Sequence, residues 1–241
     1  MASTLRPSAR RELHAQGSPT KDSFVRRNAL ALTCVAIFLV LVVGMLVSGH
    51  RSYNAEQVEH GDVVVSLWTY LGEGHFWEGL FENWESEFLQ MAAYIALTAL
   101  LIQRGSAESK DPDKRESVDE DPRNADQRKR VPWPVRRGGI WLVLYENSLV
   151  IAFTVLFIGS TVGHAFGGLA EHNADLRQHG EASMTLWNYV TGADFWYESL
   201  QNWQSEFLAV LSIVVLTIWL RQKGSPESKP VAAPHAATGS S

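Results

Sequence analysis

Apolar positions in this chain are gathered into blocks parted by charged stretches. Residues 29–48 (ALALTCVAIFLVLVVGMLVS) carry no charged side chain. At roughly 1.5 Å of rise per residue, a helix of that length covers the ~30 Å of a hydrocarbon layer. The block predicts a spanning helix. A secretory signal is the rival reading, since Arg26 and Arg27 precede it, but a signal's apolar region usually runs about 7 to 15 residues. A second uncharged run, residues 148–167 (SLVIAFTVLFIGSTVGHAFG), is internal and cannot be a cleaved leader. Two shorter blocks, 88–102 and 207–220, fall below the usual spanning length. Each follows an amphipathic stretch that can extend it. Phe76, Leu80, Trp84 and Phe88 recur at i, i+4, i+8 and i+12, with Glu78, Glu82 and Glu85 on the opposite side. Counted from Trp84 or Trp203, about 18 residues give roughly 27 Å, enough to span with little tilt. Arg104-Gly105 and Lys223-Gly224 supply the expected stop signals.

The blocks belong to a duplication. Residues 67–110 and 186–229 align without a gap at an offset of 119, sharing Trp68/Trp187, Tyr70/Tyr189, Phe76-Trp77/Phe195-Trp196, Asn83-Trp84/Asn202-Trp203 and the run Ser-Glu-Phe-Leu. Both copies end in Gly-Ser-x-Glu-Ser-Lys. Shifted by the same offset, the first apolar block lands on 148–167. The predicted fold class is therefore an all-α membrane protein with four transmembrane helices as two parallel-repeat hairpins, and amphipathic Trp-rich interfacial helices on the outer side. Its expected segments are a cytoplasmic tail (1–28), a first hairpin (29–104), a charged disordered linker (105–138), a second hairpin (139–223) and a disordered tail (224–241).

Charge sets the orientation. Residues 1–28 hold six Lys/Arg against two acids, and 103–140 hold ten Lys/Arg. The loops at 49–87 and 164–206 hold one arginine each, Arg51 and Arg177, against fourteen Asp/Glu. By the positive-inside rule both termini and the linker are cytoplasmic and the acidic loops lie outside, as expected in a bacterial inner membrane. Parallel copies relate by an axis along the membrane normal. The linker mixes both charge signs with proline and few apolar residues, a composition that does not fold alone. Its basic end, Arg128-Lys129-Arg130 to Arg136-Arg137, is a topology signal or a grip for anionic headgroups.

The pairing of N-W-[EQ]-S-E-F-L with G-S-x-E-S-K, in two copies joined by a charged linker, resembles an uncharacterised family of bacterial integral membrane proteins classed as a domain of unknown function. The resemblance runs from about residue 26 to 234 and implies a bacterial membrane protein with no assigned activity.

Candidate chemistry is sparse. Glu87 and Glu206 sit at the mouths of the two short helices, where a carboxylate serves either as a proton or cation site or as a structural pair near a helix start. Trp68, Trp77, Trp84, Trp187, Trp196 and Trp203 are the expected interfacial anchors. His60 and His179, each followed by Gly and an acid, are weak metal candidates without a ligand-spaced partner. Thr98 and Thr217, with Gly44, Gly159 and Gly163, read as close-packing positions. The single cysteine, Cys34, excludes an internal disulfide. No hydrolase elbow, P-loop or dinucleotide fingerprint occurs in a fitting context. No cofactor is expected, no nucleic acid, and no enzyme. The expected partners are the lipid bilayer and, through the outer helices, further copies of the chain or other membrane proteins. The leading expectation is a non-enzymatic envelope scaffold, sensor or interaction protein. The alternative is a small proton or cation carrier using Glu87 and Glu206, and an enzyme built on the outer histidines is the third reading.

Overall fold

The computed structural model describes residues 24–125 and 131–239. Most of the basic N-terminal tail and the run Arg128-Lys129-Arg130 lie outside the described residues. Those described are helical, with no strand among them. Two units separate at His60, the first ending there and the second starting at Gly61.

The first unit holds α1 (Phe24–Arg27) and α2 (Ala29–His60). Side chains such as Val40, Leu41 and Val43 are exposed, the arrangement of a helix built for an apolar surrounding.

In the second unit, α3 (Leu67–Tyr70) precedes α4 (Gly74–Leu100), and α5 (Trp133–Arg137) and α6 (Gly139–Glu146) lead into α7 (Ser148–Gln178). The last helices are α8 (Leu186–Val190) and α9 (Ala193–Leu216). α4, α7 and α9 form the core. α7 runs antiparallel to both others. It is fixed against α4 by Phe88 with Phe153 and against α9 by Phe157 with Trp203, ring centroids 6.3 and 6.0 Å apart. α4 and α9 run parallel: Asn202 donates to the Glu82 carboxylate, and Gln90 Nε2 donates to the Glu206 carbonyl at 3.0 Å.

Glycine sets how closely α4 and α7 approach. A Cβ on Gly163 would stand 2.5 Å from the Phe81 ring, and one on Gly167 2.6 Å from the Glu78 backbone nitrogen. This spacing of two glycines four apart lets helix backbones approach closely.

The duplication is visible bond by bond. Ser66 and Thr185 cap α3 and α8 by accepting from Thr69 and Asn188 amides. Trp77 Nε1 donates to the Leu71 carbonyl at 2.9 Å, and Trp196 Nε1 to the Val190 carbonyl at 3.0 Å. The two Gly-Ser-x-Glu-Ser-Lys segments form the same turn. Gly105 and Gly224 have φ of 85° and 87°, while Gln103 and Gln222 amides donate to Ser109 and Ser228 hydroxyls at 2.9 Å.

Among the described residues, two helices are long and apolar enough to cross a membrane, α2 and α7. The expected four are not reached on that measure. α4 and α9 are long enough, but their N-terminal halves carry the charged residues that break the apolar run. Composition leads one to expect disorder in the tail and linker. In the structure, residues 230–239 lie back against the first copy's turn: the Gly105 amide donates to Thr238 Oγ1, and the Gly239 amide to the Ser106 carbonyl, both at 2.9 Å. Lys229 fastens this strap. The residue is 1% exposed, and the three hydrogens of its ammonium are shared among the Gly105, Ile218, His235 and Ala237 carbonyls. In the linker, Lys110 pairs with Asp119 at 2.7 Å and short 3₁₀ turns form at Ser117–Asp119 and Pro122–Asn124.

Candidate functional site

The acidic face of α4 turns inward. Glu78, Glu82 and Glu85 recur at four- and three-residue steps, so one helix face presents all three to α7 and α9. Glu85 is 1% exposed and His164, on α7, is 0% exposed. His164 Nδ1 lies 2.9 Å from Glu85 Oε2, and Trp203 Nε1 donates to Glu85 Oε1 at 3.1 Å. Both carboxylate oxygens are thus engaged, as a buried carboxylate requires. The other ring nitrogen, Nε2, lies 3.4 Å from Glu198 Oε2. The Phe195 ring stacks on the imidazole, centroids 4.8 Å apart.

A carboxylate only accepts, so Nδ1 carries the hydrogen directed at Glu85. Nε2 is then the position at which a proton is gained or lost, and Glu198 is its neighbour. Glu198 leads outward. Its side chain is 35% exposed, and it lines a cavity of about 330 Å³ with Glu78, Glu171, Asp175, Asp194 and Tyr189. Tyr189 Oη bridges Glu78 and Glu198 at 3.5 and 3.4 Å. Burial raises the Glu78 carboxyl to about 7, and the carboxylates of Glu198 and Glu171 add to the rise. Burial likewise pushes Glu82 upward, and it pushes the Tyr189 hydroxyl up, helped by Glu198 and Glu78. Glu78 therefore exchanges its proton near neutrality.

Glu87 is exposed and Glu206 half-buried. Neither belongs to the His164 cluster. Trp68 and Trp187 are 82% and 73% exposed, and Trp77 and Trp196 are also exposed. Trp84 is half-buried and stacks edge-on against Phe81 and Phe88, while Trp203 serves Glu85. His179 ends a helix. Its neighbour Gly180 has φ of 73°, the Glu181 amide reaches back to the Leu176 carbonyl, and the Gly180 amide reaches the Arg177 carbonyl, which is the Schellman arrangement. His60 Nδ1 is turned to the Glu56 carbonyl within its own helix. Among the described residues no three His, Cys, Asp or Glu side chains are grouped to hold a metal ion.

A family described as a domain of unknown function, DUF6766, matches residues 21–240. The chain belongs to this family. No curated protein and no solved structure matches the DUF6766 chain.

Sequence reasoning on this DUF6766 protein passed over Glu85, His164 and Glu198. The available signal was a histidine inside an otherwise apolar run, Gly163-His164-Ala165-Phe166-Gly167, together with an acidic stripe at helical spacing.

Proposed function

We propose that this DUF6766 protein is a non-enzymatic integral membrane protein of the bacterial inner membrane that senses protons at its outer face through the Glu85–His164–Glu198 cluster. On this reading it spans four times. The C-terminal halves of α4 and α9 join α2 and α7, with termini and linker cytoplasmic and the acidic stretches outside, as the loop charges favour. The lipid bilayer is then its principal partner. One observation carries the reading: an imidazole with no solvent exposure holds one nitrogen on a buried carboxylate and turns the other to a carboxylate that opens into an acidic cavity. A histidine kept only for packing needs no such connection. Gain of a proton at Nε2 would place a cation between Glu85 and Glu198 and draw α4, α7 and α9 together through charge-assisted bonds.

The test is a ring-¹³C histidine spectrum of the reconstituted protein, with the His164 signal identified by its loss in His164→Gln. The signal should move with the pH of the outer bath, and Glu85→Gln should displace its titration. An immobile His164 signal between pH 4 and 9 would end the proposal. The rival scaffold reading draws on the exposure of Trp68 and Trp187, and predicts capture of a partner that is lost on changing both tryptophans to Ala.

A further inference from the structure

The His164 cluster is one end of a longer polar line. Along α4, Glu82, Gln90, Tyr94 and Thr98 are turned toward α9 or the turn beyond it and are spaced by multiples of four, with buried Ser86 between the first two and Glu85 beside the row. Such residues stack as one ridge, with about 5–6 Å between Cβ atoms. From Glu85, at the outer end of the span, to Thr98 the line covers roughly 20 Å of the ~30 Å of a hydrocarbon layer. Lipid-facing sequence would not spend these positions on polar groups, which are costly in hydrocarbon.

The ridge ends on the other glutamates of the duplication. Tyr94 Oη donates to Glu108 Oε2, and Glu108 Oε1 is buried without a hydrogen-bond partner. Glu108 and Glu227 occupy equivalent positions in the two Gly-Ser-x-Glu-Ser-Lys turns, and the fold brings both to one cavity of about 590 Å³. Lys110, Glu116 and Asp119 face the same space, with Lys110 held by Asp119. Burial raises the Glu108 carboxyl, and the neighbouring Glu227 carboxylate adds to the rise.

We propose that Glu108 and Glu227 form the cytoplasmic terminus of a proton path that begins at Glu198, passes through His164 and Glu85, and follows the α4 ridge past Gln90 and Tyr94. This rests on the sensing assignment and on the four-span topology. A proton taken up by Glu198 moves to His164 Nε2. The Nδ1 proton passes to Glu85, and water bridging the gaps beside Gln90 and Tyr94 delivers a proton to Glu108. Release from the Glu108/Glu227 pair leaves His164 with its hydrogen on Nε2, and reorientation of the ring between turnovers returns that hydrogen to the Glu85 side, so that one proton enters and one leaves per cycle. The duplicated turn thereby gains a role: it places two carboxyls of one sequence motif where a single proton can be shared.

The experiment uses the full chain in liposomes holding a pH-sensitive dye, with a potassium diffusion potential driving protons through. Wild type should acidify the vesicles faster than protein-free liposomes. Glu108→Gln/Glu227→Gln should cut that rate at least tenfold, and Gln90→Leu should do the same, while the His164 signal still titrates. Wild-type flux equal to that of empty vesicles, with His164 titrating, overturns the path and leaves the sensor. Unchanged flux in both variants also overturns it. Should the double variant lose the His164 signal as well, it has misfolded and Gln90→Leu decides. An immobile His164 in the wild type counts against the sensing assignment instead.

Discussion

Glu78 is a carboxyl group that burial and the carboxylates of Glu198 and Glu171 push in the same direction, with His164 opposing them more weakly. Its folded-state value of about 7, against 4.5, means that the folded chain holds more protons than the unfolded chain between those pH values. Stability from this group is therefore greatest below about 4.5 and is lost as pH rises to about 7. The full loss is of the order of 3 kcal/mol. Glu78→Gln should remove it. In detergent, the variant should match wild type at pH 4 and melt several degrees higher at pH 8, and parallel melting profiles would contradict the assignment. This residue was visible in the sequence as part of an acidic face, but periodicity alone assigns such a face to water. Only the packing of α7 and α9 against it reveals that the face is interior.

At the scale of the element, the glycines of α7 decide the geometry. Gly159 has open space where a Cβ would stand, whereas Gly167 would drive one into the α4 backbone. Gly167→Leu should lower the melting temperature well beyond Gly159→Leu, since overpacking costs about 1–3 kcal/mol and this contact is with backbone. Its His164 signal should broaden or vanish. Equal melting of the two variants would show that α4 and α7 do not depend on close approach. Part of this scale followed from local chemistry: the paired Trp77 and Trp196 and the identity of segments 105–110 and 224–229 stand in the duplication, though the helices end at Leu100 and Leu216, short of the stops expected at Gly105 and Gly224. The relation of α4 to α7 did not, because a Gly-x-x-x-Gly pair in an apolar run states that something comes near without stating what.

For the molecule as a whole, the proposed topology rests on charge and duplication together. Single cysteines placed at Asp62 and Glu181, in a Cys34→Ala background, should react with an impermeant maleimide added to intact cells. Cysteines at Ser117 and Lys223 should react only after the membrane is opened. Labelling at Ser117 from outside would reverse the orientation and with it the direction of the proposed proton path. Length and composition mark α2 and α7 as possible spans but not α4 and α9. The charged N-terminal halves of α4 and α9 shorten their apolar runs, and as repeat copies the two helices cross together or not at all.

The strap of residues 230–239 is made on the ribosome after everything it fastens. Until Lys229 and Thr238 have been added, the backbone oxygen and amide of Gly105 lack the partners they hold in the finished fold. The turn of the first copy is thus closed by residues 124 and 133 positions further along the chain, so it reaches its finished form only once the second copy has been laid beside it.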